Sequence, residues 1–333
     1  MTRLVARLRL VFAALTLVGL ISFVPPAGAQ QPSSVNPTAS AVKEDKLLQE
    51  LNRIQGRGSI PDTRSYVVEQ PAGRDWRQFH EFTQLWVGAI VILGMLALLI
   101  VYYAIRGSIR LASGTSGRTI TRFNGLERFA HWLTAGSFVL LALTGLNVTF
   151  GKHLLLPLMS PNAFSKLSVV AKYVHDYLSF PFVIGLVIIF VLWVRDNVPG
   201  RIDVQWLRQA GGFFGGGHPP APRFNAGQKI VFWVVIITGA AMTVSGFYLL
   251  FPFYAAGIAG MQIAEVVHGV LAVLFVAAML AHIYIGTIGM EGAFAAMGSG
   301  EVDLNWAKEH HSLWVEEAQG RATTASPHAT PAE

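Results

Sequence analysis

The sequence predicts an all-α membrane protein: a four-helix transmembrane bundle with one additional N-terminal transmembrane helix and a short exported segment. Three observations carry that expectation. Only 13% of the 333 residues are charged, against about 25% in ordinary soluble domains. Hydrophobic residues make up 53%, and mean hydropathy is +0.48. Five apolar stretches, at about 84–105, 129–150, 173–194, 230–251 and 264–288, each approach the roughly twenty residues that a helix needs to cross a hydrocarbon core.

Residues 1–29 read as a secretory signal peptide. Arg3, Arg7 and Arg9 precede an apolar run, and Ala27-Gly28-Ala29 forms a small-residue cleavage site. An uncleaved anchor is the alternative. Residues 30–83 are a polar exported segment in which Leu47, Leu48, Leu51 and Ile54 make a short helical stripe. Residues 84–105 form the additional transmembrane helix, and residues 291–333 form a polar tail that is expected to be partly disordered. No internal repeat is evident.

The loops set the orientation. Arg106, Arg110, Arg118, Arg122 and Arg128 lie between the first and second spans. Arg195, Arg201, Arg208, Arg223 and Lys229 lie between the third and fourth. The positive-inside rule makes both loops cytoplasmic, with the N-terminal segment periplasmic and the C-terminus inside a bacterial inner (plasma) membrane. The same rule accounts for the net charge of +6 better than nucleic-acid binding does, so no nucleic-acid partner is expected.

There are no cysteines, which excludes disulfides, covalent haem attachment and cysteine-held iron–sulfur clusters. The glycine-rich stretch from Gly211 to Gly217 follows no strand and reads as a loop rather than a nucleotide site. No catalytic residues are assigned.

Four of the ten histidines lie inside apolar spans: His131, His175, His268 and His282. His268 and His282 share one helix face, just under four turns and roughly 21 Å apart. That places one near each surface of a hydrocarbon core about 30 Å thick. Topology puts His131 level with His282 on the cytoplasmic side, and His175 level with His268 on the exported side. Two imidazoles at each level suit a metal held by a macrocycle, as in bis-histidine haem. Zinc fits less well, since it takes about four protein or water ligands per site. Satisfied core histidines are the structural alternative. His80 and His153, at the exported interface, are second-rank candidates, and His218, His310, His311 and His328 are expected on solvated surface. Arg128 and Lys172 each precede a histidine by three positions and share its face, which suits contacts to haem propionates. Topology charges or snorkelling side chains would look the same.

At these residues the chain resembles the gamma subunit of respiratory formate dehydrogenases, a membrane cytochrome b. The matching segments are Arg122-Phe123, Glu127 through Trp132, Phe224 through Lys229, and the His268/His282 spacing. The resemblance covers about 118–290, the expected di-haem cytochrome b domain, and extends to the cytochrome b subunits of hydrogenases.

The resemblance implies two haem b groups, held by His131 with His282 and by His175 with His268. It implies electrons arriving from an iron–sulfur beta subunit, fed by a molybdenum- or tungsten-pterin alpha subunit, and leaving to quinone near Asn225, Gly227 and Gln228. From the residues alone, Asn225 and Gln228 equally make a capping box for the fourth span. Two other readings stand beside this one: a cytochrome b serving a hydrogenase or another quinone-linked dehydrogenase, and a transporter with an intramembrane histidine relay.

Overall fold

The computed structural model describes residues 71–212 and 217–324. The signal peptide, the exported segment up to residue 70 with its leucine stripe, and the last nine residues with His328 lie outside them.

Among the described residues, five helices are long and apolar enough to cross a membrane. The first begins as α1 (Pro71–Gln78), passes through a π-helical turn (Phe79–Gln84) and continues as α2 (Leu85–Arg106). It therefore starts well before the apolar run that predicts it. The bundle proper consists of α3 (Gly125–Leu154), α4 (Pro161–Trp193), α6 (Ala226–Leu250) and α7 (Ile258–Tyr284). A short helix, α5 (Arg201–Arg208), separates its halves.

Three of the four bundle helices, α3, α4 and α6, start where capping side chains dictate, not where hydropathy begins. Asn124 and Glu127 form a reciprocal capping box on α3, with both hydrogen bonds at 3.0 Å. Asn225 and Gln228 do the same for α6, at 3.1 and 3.0 Å. Ser160 caps α4, with Pro161 preset for the first turn. Hence α4 begins at Pro161, twelve residues before its apolar window at 173.

α3 packs along α4, α6 along α7, and α2 lies on α7. There Gly269, lacking a side chain, leaves the space that the buried Gln84 amide fills.

The structure also brings out a duplication. The capped starts of α3 and α6 repeat as Arg-Phe-Asn-x-x-Glu/Gln-Arg/Lys, at 122–128 and 223–229. Thr144-Gly145 recurs at the same offset as Ser245-Gly246. Val174-His175 on α4 likewise recurs as Val267-His268 on α7. Two antiparallel hairpins, α3–α4 and α6–α7, thus form the bundle as related halves. The offsets differ between the first and second helices of each half, and the shared positions are few, so the repeat is faint in the linear chain.

The tail is ordered through α8 (Ala295–Gly298), α9 (Leu304–His310) and α10 (Ser312–Thr324). Strand β2 (Glu301–Asp303) pairs antiparallel with β1 (Thr119–Thr121), Ile120 opposite Val302. Val302, Trp306, Trp314 and Val315 bury against Phe123, Trp193 and Phe224 at the arginine-rich end of the bundle. The expectation of a partly disordered tail fails for residues 291–324, because these scattered apolar residues find one surface to cover.

The same packing overturns the placement of two histidines on solvated surface. His311 is fully buried: its Nδ1–H donates to Pro222 O at 2.9 Å, and Nε2 accepts from the Arg122 guanidinium at 3.0 Å. Burial and the Arg122 charge hold its pKa well below the usual histidine value. His310, half-buried on the face of Trp306, is lowered to about 4, chiefly by burial. His218 stays exposed beside it.

Candidate functional site

The structure brings the four intramembrane histidines together in two pairs. The rings of His131 and His282 have centroids 6.3 Å apart and planes inclined by 60°. Those of His175 and His268 are also 6.3 Å apart, inclined by 65°. The residues come from three helices: α3 gives His131, α4 gives His175, and α7 gives both partners. α6 contributes no histidine, and the duplication explains why. The positions on α6 and α4 that correspond to His131 and His282 are Phe232 and Ile189, both packed in the core.

The two pairs are held differently. The Thr144 hydroxyl lies 2.9 Å from His175 Nδ1, and the Ser245 hydroxyl lies 2.9 Å from His268 Nδ1. Each hydroxyl donates its one hydrogen to its own helix backbone, Thr144 to Leu140 O at 2.8 Å and Ser245 to Ala241 O at 2.9 Å. It can therefore only accept from the imidazole, so Nδ1 carries the proton and Nε2 keeps a free lone pair. Gly145 and Gly246 follow these residues, and a Cβ at 246 would stand 3.3 Å from His268 Cε1. At the other level, His131 Nδ1 is buried with no hydrogen-bond partner among the described residues.

Phe275 stands midway between His268 and His282 on α7. It packs on Phe138 at 4.6 Å and Phe182 at 6.5 Å, and with Leu186 and Met279 forms a dry partition between the levels.

These arrangements fit a porphyrin iron. Metal–nitrogen bonds of about 2 Å on opposite sides of a metal, plus about 1.1 Å from each nitrogen to its ring centre, separate the centroids by roughly 6 Å. Among the described residues no three His, Asp or Glu side chains converge as a metal site, so a metal here would need a macrocycle to complete its coordination.

The other sequence-derived candidates lie at the edges. Arg128 donates to Met297 O at 3.2 Å and also to Gly298 O, clamping the loop after α7. Its counterpart Lys229 clamps the loop after α4, donating to Val198 O at 3.1 Å and pairing with buried Asp203 at 2.8 Å. Lys172 is exposed and pairs with Asp176 at 2.5 Å. The Asn225 and Gln228 side chains are engaged in their capping box, and the Trp206 ring lies against Gly227. His80 stacks on Trp76 and lies 3.3 Å from Gln84 Oε1, while His153 is exposed.

Sequence reasoning missed Thr144 and Ser245, whose signal was a hydroxyl and a glycine at matching positions in both halves. It also passed over Glu265, three residues before His268, which faces Trp76 and His80.

A helical membrane bundle with histidines paired at two levels is the frame of a membrane cytochrome b that carries electrons. The chain belongs to the prokaryotic cytochrome b561 family, whose match spans residues 122–300. That family binds haem b.

Its relatives include the formate dehydrogenase cytochrome b556(fdo) subunit of Escherichia coli K12. That protein is 29% identical over 205 residues, 60% of this chain and 94% of the relative. The nitrate-inducible formate dehydrogenase cytochrome b556(Fdn) subunit of the same strain is 26% identical over 213 residues, 62% of this chain and 94% of the relative. The formate dehydrogenase cytochrome b556 subunit of Haemophilus influenzae is 24% identical over 205 residues, covering 60% and 83%.

Proposed function

We propose that this chain is the membrane-anchoring electron-transfer subunit of a formate dehydrogenase complex. His131 with His282 would hold an inner haem b, and His175 with His268 an outer one. The observation that carries this reading is the equal 6.3 Å separation of two same-level imidazole pairs. Each histidine pair would hold one haem iron from both sides, which would suit electron transfer and would leave the iron no position for a substrate. When bound, the haems supply one-electron carriers between an iron–sulfur beta subunit, itself fed by a molybdenum- or tungsten-pterin alpha subunit, and quinone.

The formate dehydrogenase subunits among the relatives favour formate as the electron source. The arginine-rich end would face the cytoplasm and the His175/His268 level the periplasm. In this reading residues 1–29 are a signal peptide, 30–83 an exported segment and 118–290 the di-haem domain. Quinone would be reduced near His282 and the start of α6, at Asn225, Gly227 and Gln228, where the capping box takes the N–H groups of Asn225 and Gln228 and the helix-terminal N–H of Gly227 would suit a reduced oxygen. The carbonyl and carboxylate partners of Arg128 and Lys172 favour structural roles for both over propionate binding.

The test is a pyridine haemochrome count on single alanine variants of the purified complex. His268→Ala is expected to remove the outer haem alone. His282→Ala is expected to remove the inner haem and abolish quinone reduction. Two haems retained in all four single variants would refute the ligand assignment.

A further inference from the structure

We propose that Thr144 and Ser245 are positioning residues that fix the outer imidazole pair for iron and set the outer centre's reduction potential below that of the inner one. The proposal rests on the reading of His175 and His268 as haem ligands.

Three features carry it. First, each outer imidazole meets a hydroxyl oxygen at 2.9 Å through Nδ1, and that oxygen is already donating to its own helix. A hydroxyl oxygen whose hydrogen is given to a carbonyl can only accept, so it demands the Nδ1–H tautomer of its imidazole.

Second, the arrangement occurs twice. Thr144, Leu141 and Gly145 correspond to Ser245, Met242 and Gly246 at one constant offset, in two hairpins that share few other positions. A Cβ at Gly246 would crowd His268 Cε1 at 3.3 Å, whereas one at Gly145 would make an ordinary contact with His175 at 3.5 Å.

Third, the inner level lacks it. His131 Nδ1 is buried and has no such partner among the described residues.

Donation from Nδ1–H makes an imidazole a more basic ligand. A more basic axial ligand favours ferric over ferrous iron and lowers the potential. Two donated hydrogen bonds at the outer level, against at least one imidazole without any at the inner level, make the inward step downhill. That direction opposes a membrane potential negative inside, so it needs a built-in bias.

The test is a redox titration of the purified complex carrying Thr144→Val with Ser245→Ala. Low-temperature electron paramagnetic resonance of the ferric outer haem provides a second readout. The outer midpoint is expected to rise by about tenfold in equilibrium constant, about 59 mV for one electron, while the inner midpoint stays put. The outer resonance should also shift, because the rings lose the contacts that fix their planes. Thr144→Ser with Ser245→Thr keeps both hydroxyls and should restore both signals.

Loss of the outer haem in the first variant, with recovery in the second, supports the same role. Unchanged potentials and resonances in the first variant would overturn the proposal and leave the ligand reading intact. So would loss that the hydroxyl-retaining variant does not repair. The histidine variants tell the two failures apart: if His175→Ala and His268→Ala both keep the outer haem, the ligand reading falls and takes this proposal with it.

Discussion

Arg122 and Arg223 are cross-linked to each other's main chain. The Arg122 guanidinium donates to Arg223 O at 2.7 Å, and the Arg223 guanidinium donates to Arg122 O at 3.2 Å. Each also reaches the other half's capping residue: Arg122 donates to Gln228 Oε1 at 3.4 Å, and Arg223 to Glu127 Oε1 at 2.7 Å. The two hairpins are thereby latched at one end of the bundle. Arg122 is buried among Phe123, Trp306 and Trp314, and burial together with Arg223 lowers its pKa without neutralising it at pH 7. Arg223→Ala removes the cationic partner of Glu127, whose carboxylate is buried and keeps only the neutral donors Asn124 N and Trp193 Nε1. A loss of about 3 kcal/mol is expected, read as a lower unfolding midpoint in detergent. Arg223→Lys should recover only part of it, since an ammonium cannot span Glu127, Asp196 and the Arg122 carbonyl together.

The Lys229–Asp203 pair is buried on both sides, at 2.8 Å. Lys229→Met alone strands a carboxylate and is expected to cost about 3–5 kcal/mol. Adding Asp203→Asn should restore a large part, giving a coupling energy of about 1–3 kcal/mol in a double-mutant cycle. Additive losses would show that the pair contributes no coupling.

The tail should loosen in acid. His311 sits well below the ordinary histidine value and His310 at about 4, so both are neutral when folded. Their unfolded counterparts titrate near pH 6.5. Depressed folded values mean that the stabilisation is complete above about pH 6.5 and declines as pH falls toward about 4. Limited proteolysis within residues 301–324 is expected to be slow at pH 7.5 and fast near pH 5. His311→Asn, which keeps a donor for Pro222 O but does not titrate in this range, should flatten that profile.

Phe275→Ala opens the partition between the histidine levels. A loss of about 3–5 kcal/mol is expected from the cavity alone. In the proposed di-haem arrangement, water entering the space would also move the potentials at both levels, a change visible by redox titration with haem content unchanged.

Much of this was legible in the linear chain, for identifiable reasons. Bilayer thickness imposes a length on each span, and the Asn225–Gln228 capping box announces itself by residue type and spacing. The histidine levels follow from helix rise and loop charge. What escaped depends on contacts between distant segments. Trp306 and Trp314 reveal their role only when β2 meets β1 and carries them under the arginine latch. Arg128 shares a helix face with His131, but its guanidinium is claimed by carbonyls 169 and 170 positions away. Spacing within one helix cannot foresee that. The duplication stayed hidden because it survives in caps, hydroxyls and glycines rather than in a run of identities.

One consequence follows from the place of α7. His268 and His282 both belong to it, and it is the last of the five described spans to leave the ribosome. Neither imidazole pair can close around anything until that helix has entered the bilayer. A nascent chain arrested after the fourth span carries one half of each clasp and the mate of neither. With the proposed ligand pairs, haem would be loaded only at the end of synthesis, and a truncated product would lack the means to hold it.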